Sequence, residues 1–302
     1  MPSLISTILR GQIKLLNPII SGATLEQTRK GQDALAKLGT RAMENSVAFH
    51  DLRLPNFDAA WAIPLAGRVT QAIVYLHGGA YAAGGLDYAK GFGGLLAQAT
   101  GRAVLCVGYR LAPEYPYPAA LEDAVDSYRE ALLRYAPGDI ALVGESAGGG
   151  LCYALALYLK EQGMELPARI VAVSPWTDLT MSREVAELEK LDPLLTREGL
   201  DHYAHLYAGR HDRQNPLISP LFGDLHGLPP SLIIAGSHEI LLDDSRLLAE
   251  RLRQAGCDCQ LYVEEGLWHV YVLYPVPEAK EAMRMTVDYL AQDAPEHGGG
   301  QR

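Results

Sequence analysis

"IALVGESAGGGLCYALALYLK", residues 140–160, decides the fold of this chain. An apolar run typical of a buried strand ends at Gly144, and an apolar run of helical length begins after Ser146. Glycines on both sides of Ser146 allow the sharp strand-to-helix turn that exposes a serine hydroxyl. A glycine-rich turn without chemistry is the alternative, and the pattern alone does not exclude it. The position of Ser146 between a strand and a helix favours a nucleophile.

Short apolar runs alternate with helical stretches along much of the chain. Strands are predicted at 71–76, 103–109, 140–144, 169–174, 231–236 and 259–265. Stretches with helical spacing lie between most of them, which predicts a mainly parallel sheet with helices on both faces. The segments 47–55 and 59–65 alternate in polarity and precede the first crossover, so we expect an antiparallel pair at one edge of the sheet.

Two helical segments interrupt this alternation. Both are expected to cover the carboxyl ends of the strands, where ligands bind in open α/β sheets. The predicted organisation is an N-terminal helical cap segment at 1–42, a core at 43–177 and 216–293, a cap insertion at 178–215 and a disordered tail at 294–302.

The N-terminal segment has the spacing of an amphipathic helix, with Leu4, Ile8 and Leu15 on one side. Arg10 and Lys14 interrupt any signal-peptide core, and no apolar run approaches the length that spans a membrane. We expect this helix to dock on the body of the protein rather than on a membrane surface. No stable membrane anchor is expected.

The composition limits the partners and the compartment. The 302 residues carry a net charge of −10 and no cluster of Lys or Arg, which argues against nucleic acid as a partner because phosphate binding needs a basic face. Four cysteines form no CxxC pair, so free thiols and a cytoplasmic location are expected. His202 and His205 lie three residues apart on a predicted helix, but no partner ligand supports a metal. Neither a metal nor a cofactor is expected.

A second glycine-rich turn, "HGGAY" at 77–81, follows the strand predicted at 71–76. A serine that attacks a carbonyl creates an oxyanion, which needs fixed N–H donors. A serine on a strand-to-helix turn receives one donor from the next residue, here Ala147, and the others from a glycine-rich loop after the third strand. His77 is expected to anchor this loop, although an ordinary glycine turn is the alternative. Glu145 is expected to brace the serine turn rather than transfer protons.

These motifs are joined by four others: "YRLAPEYPYPAALEDA" (109–124), "SPWTDLT" (174–180), "DPLL" (192–195) and "LPPSLIIAGSHEILLDDS" (228–245). Together they resemble the hormone-sensitive-lipase-like esterases, a branch of the α/β-hydrolases. The resemblance runs from about residue 70 to 272, whereas the N-terminal part fits only as a generic cap. It implies a mostly parallel eight-stranded sheet with a helical cap, and hydrolysis of short- to medium-chain carboxylic esters without a cofactor.

The resemblance also implies an oxyanion hole. Its donors would be main-chain N–H groups of the loop Gly78, Gly79 and Ala80, together with that of Ala147. Ala80 departs from the glycine that the family usually has at this position. A main-chain donor tolerates a methyl group if its φ is negative, so we expect the oxyanion hole to survive with a slightly narrower acyl side.

The remaining catalytic residues are expected in the order serine, acid, histidine. Of nine histidines, His269 follows the last predicted strand, where the base belongs. Aligning "EILLDD" (239–244) with the acidic run of the family places Glu239 at its head, 30 residues before His269. Glu239 is one methylene longer than the commoner Asp. Asp243 is the alternative acid, although Asp243 and Asp244 are also explained as the acidic start of a helix.

Other matched residues are assigned structural roles or left open. Arg110 and Glu114 are predicted to form a partly buried ion pair that fixes a proline-rich loop. Four aromatic residues fit either a pocket wall or the core: Tyr81, Trp176, Phe222 and Trp268.

The sequence thus predicts a serine carboxylesterase that acts on a small-molecule ester through Ser146, Glu239 and His269. A lactone, carbamate or amide hydrolase with the same three residues is the first alternative. A non-catalytic small-molecule receptor is the second, since plant gibberellin receptors resemble this family but lack the catalytic histidine. The presence of His269 argues against a receptor. A homodimer remains open.

Overall fold

The computed structural model describes residues 1–21 and 24–292 of the chain; the tail predicted to be disordered, 294–302, lies outside the described residues. Eight strands form one sheet in the order β1-β2-β4-β3-β5-β6-β7-β8. They are β1 (Val47–Arg53), β2 (Asp58–Pro64), β3 (Ala72–Leu76), β4 (Ala103–Gly108), β5 (Ile140–Glu145), β6 (Arg169–Val173), β7 (Ser231–Gly236) and β8 (Cys259–Glu264). β1 and β2 pair antiparallel, as do β2 and β4, and the other pairings are parallel. The predicted α/β fold is confirmed.

Helices cover both faces of this sheet. They are α1 (Leu4–Ser21), α2 (Leu25–Ala42), α3 (Leu86–Thr100), α4 (Ala119–Leu132), α5 (Ala147–Glu161), α6 (Ala186–Leu191), α7 (Arg197–Ala208), α8 (Leu242–Gln254) and α9 (Pro277–Ala291). Side chains of β3 alternate between the two cores: Val74 packs with α4, α5 and α8, and Ile73 and Tyr75 pack with α3 and α9. Completely buried strands of this kind explain the continuous apolar runs in the sequence.

The segments predicted as a cap contain α1 and α2 at the N-terminus and α6 and α7 in the insertion. α1 docks on the body of the protein, but through a face other than the expected one. Leu4 and Leu15 are 75% and 78% exposed, whereas Ser6 and Ile13 are buried. Ser6 donates a hydrogen bond to Glu278 of α9 at 2.6 Å. Polar contacts, which apolar periodicity does not reveal, thus determine the docked face.

Within residues 1–21 and 24–292, no helix has both the length and the apolar character needed to cross a membrane. Each of the four cysteines is free and buried.

The ion pair predicted between Arg110 and Glu114 is wrong. Arg110 pairs with Asp123 at 2.8 Å, because this fully buried carboxylate needs a compensating cation. Glu114 faces the cap and pairs with Arg29 of α2, also at 2.8 Å. The proline-rich loop is therefore held from two sides, by the core and by the cap.

Candidate active site

Ser146 lies at the junction between β5 and α5, with a φ of 54° in the left-handed region. Its N–H donates to the carbonyl of Val173 at 2.8 Å. The glycines around it are required by close backbone contacts. A Cβ on Gly148 would lie 2.0 Å from the Leu76 carbonyl oxygen, and a Cβ on Gly150 would lie 2.0 Å from that of Trp176. No side chain fits there, so the turn is fixed in its strained form.

His269 lies in the loop after β8, and its side chain contacts Ser146. Its Nε2 lies 2.9 Å from Ser146 Oγ, and the imidazole is buried. Its Nδ1 faces Oε1 of Glu239 at 3.8 Å. Neither of these two atoms has another hydrogen-bond partner in the described part of the chain. The structure therefore brings together the serine, histidine and glutamate that were predicted from the sequence.

Glu239 is completely buried and is fixed by its second carboxylate oxygen. Oε2 accepts hydrogen bonds from the Ser174 hydroxyl at 2.8 Å and from the Gly236 N–H at 3.0 Å. Ser174 Oγ in turn accepts the N–H of Val270, the residue after the histidine, at 3.1 Å. Ser174 thus connects the acid to the loop of the base. Sequence reasoning missed this role, although Ser174 begins the quoted motif "SPWTDLT".

Asp243 and Asp244 have different environments on α8. Asp243 is partly exposed and lies 3.4 Å from Arg246. Asp244 is buried, accepts the N–H groups of Thr177 and Asp178 at 2.7 and 2.8 Å, and forms an ion pair with Arg183. Burial raises the pKa of Asp244 to about 6. The helix-start explanation is therefore incomplete for Asp244, which braces the loop after β6.

Asp192, from the motif "DPLL", contributes to the site from the cap insertion. Its carboxylate is buried and accepts the N–H of Ile240, the residue after Glu239, at 2.9 Å. It also accepts the N–H groups of Leu194 and Leu195 at 2.8 and 3.0 Å. Asp192 therefore joins the cap insertion to the loop that carries the acid.

The loop after β3 provides fewer free donors than predicted. The N–H of Gly78 donates to Glu145 Oε1 at 2.6 Å, so Gly78 is not available as an oxyanion donor. The N–H groups of Gly79 and Ala80 have no acceptor in the described part of the chain. Ala147 is the first residue of α5, where a helix leaves its N–H free. Three candidate donors remain beside Ser146.

The condition of a negative φ at Ala80 is not met, since the structure places φ at 53°. The carbonyl of Gly79 accepts N–H groups from Ala82 and Ala83 at 3.0 and 2.8 Å, which closes a tight turn around Ala80. An alanine in the left-handed region costs about 1–2 kcal/mol relative to the right-handed one. The turn is therefore strained and needs support from its surroundings.

His77 and Glu145 fix this loop through hydrogen bonds to the main chain of Gly78. Nδ1–H of His77 donates to the Gly78 carbonyl at 2.6 Å, and the ring stacks on Tyr109 with centroids 4.2 Å apart. Burial lowers the pKa of His77 to about 4, so the imidazole is neutral and serves as an anchor. Burial raises the pKa of the Glu145 carboxyl to about 7.

A cavity of about 550 Å³ opens beside Ser146 and His269. This volume lies within the range of small-molecule pockets, roughly 300–1,000 Å³. Most of the other lining residues are small or apolar and come from α2, α3, α7 and the loop after β8: Thr28, Gln32, Ala36, Gly39, Tyr88, Gly91, Phe92, Leu95, Leu200, Tyr203, Val270, Leu273 and Tyr274. Of the aromatic residues left open by the sequence, Tyr81, Trp176 and Trp268 are buried in the core.

Known proteins share this sequence and architecture. Residues 73–273 match the family described as the alpha/beta hydrolase fold. The chain is 38% identical over 276 residues to an acetyl-hydrolase of Streptomyces hygroscopicus, which covers 87% of this chain and 91% of that protein. It is 35% identical over 232 residues to an ethyl acetate hydrolase of Pseudomonas putida, which covers 73% of each. The crystal structure of an esterase from the bacterial hormone-sensitive lipase family has a TM-score of 0.87 and 34% identity, and covers 94% of this chain and 98% of that chain.

Glu145→Gln should change how stability depends on pH. The variant keeps an acceptor for the Gly78 N–H but loses the titrating proton. In the wild type, the folded state retains a proton up to a pKa of about 7, whereas the usual value is 4.5. The wild type should therefore lose free energy of unfolding relative to the variant as pH rises from 4.5 to about 7. Urea unfolding of both proteins across this range measures the difference, and parallel pH profiles would contradict the raised pKa.

Proposed function

The chain belongs to the α/β-hydrolase family, in its hormone-sensitive-lipase-like branch, and we propose that Ser146, His269 and Glu239 carry out its hydrolysis of carboxylic esters. The enzyme is a carboxylic ester hydrolase of the serine type. The observation that carries the residue assignment is the 2.9 Å contact between Ser146 Oγ and His269 Nε2 at a strained strand-to-helix turn. A nucleophile within hydrogen-bond reach of a base is the arrangement that forms an acyl-enzyme.

In the proposed mechanism, His269 accepts the Ser146 proton while Ser146 Oγ attacks the acyl carbon of the ester. The N–H groups of Gly79, Ala80 and Ala147 stabilise the oxyanion that forms on the carbonyl oxygen. His269 then protonates the leaving alcohol, which leaves the acyl group on Ser146. A water molecule, activated by His269 in the same way, releases the carboxylic acid and restores the serine.

Glu239 is assigned the role of orienting His269. The 3.8 Å separation of Glu239 Oε1 and His269 Nδ1 exceeds a hydrogen-bond distance by roughly 0.6–1.2 Å. Such contacts are often loose without substrate and shorten when the catalytic complex forms. A buried carboxylate at this position selects the tautomer with a proton on Nδ1 and stabilises the imidazolium that forms during attack. Because Glu is one methylene longer than Asp, its carboxylate reaches His269 from a main chain that lies farther away.

The relatives act on small acyl groups by name, as an acetyl-hydrolase and an ethyl acetate hydrolase. We propose short- to medium-chain esters as substrates, with the acyl chain in the cavity between α2 and α3. Lactones, carbamates and amides would use the same three side chains and differ in the leaving group. A cytoplasmic location is also proposed, because four free and buried thiols fit a reducing compartment.

The first test is hydrolysis of p-nitrophenyl esters from acetate to palmitate by the wild type and by Ser146→Ala. The wild type should cleave the shorter esters fastest, and the variant should retain only background release, because the hydroxyl that His269 Nε2 contacts is removed. Colorimetric release of p-nitrophenol measures both. Equal rates in the two proteins would contradict the assignment of Ser146.

Glu239→Gln should lower kcat by about 10³- to 10⁴-fold, because a neutral amide favours the wrong tautomer and does not stabilise the imidazolium. Asp243→Asn on the neighbouring helix serves as the matched control and should change kcat by less than about threefold. Steady-state kinetics on p-nitrophenyl acetate give both values. The opposite ranking would assign the acid to Asp243.

Gly39→Phe should shorten the range of acyl chains that the enzyme accepts. Gly39 lines the cavity, and a Cβ added there would contact nothing within 4 Å, so the new ring has open space to occupy. Cleavage of p-nitrophenyl octanoate should fall relative to acetate. Gly31→Phe is the control: Gly31 lies on the same helix, also faces open space and does not line the cavity. Equal acyl profiles for the two variants would place the acyl chain elsewhere.

A further inference from the structure

The loop that supplies two of the oxyanion donors has an unusual backbone. Five of its residues between 79 and 85 have φ values in the left-handed region: Gly79, Ala80, Tyr81, Gly84 and Gly85. Ala80 and Tyr81, at 53° and 59°, adopt this region against the preference of their side chains. Such strain persists only where the surroundings hold the backbone in place.

Arg29, on the cap helix α2, provides such a hold. Its Nε donates to the carbonyl of Ala82 at 2.8 Å, and its Nη2 donates to the carbonyl of Ala112 at 2.9 Å. The same guanidinium forms a two-point ion pair with Glu114, at 2.8 and 2.9 Å. This pairing lowers the pKa of the Glu114 carboxyl to about 2. Four of the five N–H groups of a guanidinium are therefore engaged in fixed directions.

A second side chain of α2 holds the loop at its other end. The side-chain oxygen of Gln32 accepts the N–H of Gly84 at 2.8 Å. Gln32 lies one turn after Arg29 on α2. Helix α2 therefore binds the loop at the residues before and after Ala83. The N–H of Ala83 donates to the Gly79 carbonyl and closes the turn.

We propose that Arg29 is a positioning residue for the oxyanion hole, which fixes the Ala82 carbonyl and thereby the direction of the donors at Gly79 and Ala80. The inference rests on the proposed function, since the donors matter only when an oxyanion forms. The Ala82 N–H donates to the Gly79 carbonyl at 3.0 Å, so a displacement of Ala82 is passed directly to Gly79. Because the oxyanion exists only during the reaction, the effect belongs to kcat rather than to KM.

Arg29→Ala should lower kcat for p-nitrophenyl acetate by about 10- to 100-fold, which is less than the roughly 100- to 1000-fold loss when an oxyanion donor itself is removed, with KM changed by less than about threefold. Arg29→Lys should lower it as well, because an ammonium cannot bind two carbonyls and a carboxylate in one plane. Lys30→Ala is the matched control: Lys30 is the next residue on α2 and forms an exposed pair with Glu26. Its kcat should equal that of the wild type.

Two further measurements separate positioning from a general structural role. Phenylboronic acid, which forms a tetrahedral adduct on the serine hydroxyl, should bind Arg29→Ala more weakly by the same factor as the loss in kcat. Guanidinium chloride at low millimolar concentration should restore part of the activity of Arg29→Ala, because the free cation can occupy the emptied site. It should have no such effect on Lys30→Ala.

The outcomes that overturn the proposal are specific. Wild-type kcat in Arg29→Ala or in Arg29→Lys would do so, as would a rise in KM at constant kcat. A loss of kcat with unchanged boronic acid affinity and no response to guanidinium would also do so, since Arg29 would then act on the fold alone. Arg29→Lys keeps the charge and the aliphatic stem, so it decides the matter if Arg29→Ala does not fold. Failure of the wild type to cleave any ester would instead overturn the proposed function.

Discussion

The close approach of helix α5 to the carboxyl ends of β3 and β5 is the contact on which the site depends. The main chain of Gly148 lies so near the Leu76 carbonyl that a methyl group would overlap with it. This approach bends the chain into a left-handed turn at Ser146 and brings the loop after β3 against the serine. A Cβ on Gly78 would lie 3.2 Å from Ser146 Cβ. One backbone contact therefore sets both the nucleophile and the donors that face it.

Buried carboxylates join the loops of the site to one another. Glu145, Asp192, Glu239 and Asp244 are all buried, and each accepts a main-chain N–H from a loop around the site. A carboxylate removed from water is costly unless it is hydrogen-bonded, so each loop must stay where it satisfies its acceptor. The same acids that would be unfavourable in an apolar core thus give the loops their fixed positions.

The sequence predicted the layers of the fold because the central strands, β3 to β7, are almost completely buried and appear as continuous apolar runs, whereas the edge strand β1 varies in exposure. It also predicted where Ser146 and His269 lie, since the turn glycines and the chain order have local signatures. It did not predict that Ser174 connects Glu239 to the loop of His269, that Glu114 pairs with Arg29 of α2, or that the φ of Ala80 is positive. These depend on contacts between residues far apart in sequence, for which a single chain carries no periodic pattern. The prediction of which face of α1 docks was wrong for a related reason. Polar contacts such as the hydrogen bond from Ser6 to Glu278 determine the docked face, and the spacing of apolar residues does not reveal them.

The grip of Arg29 on the loop after β3 bears on how such enzymes can diversify. Cap segments offer an obvious route to new substrate ranges, because α2 forms part of the cavity wall while the reacting side chains belong to the core. Yet α2 also holds the main chain of the loop after β3, so the cavity wall and the catalytic site do not vary independently. A cap transplanted from another enzyme would bring a new pocket only if it also carried a guanidinium in register with Ala82, Ala112 and Glu114. Recombination at the cap boundary is therefore constrained to partners that preserve that one cation.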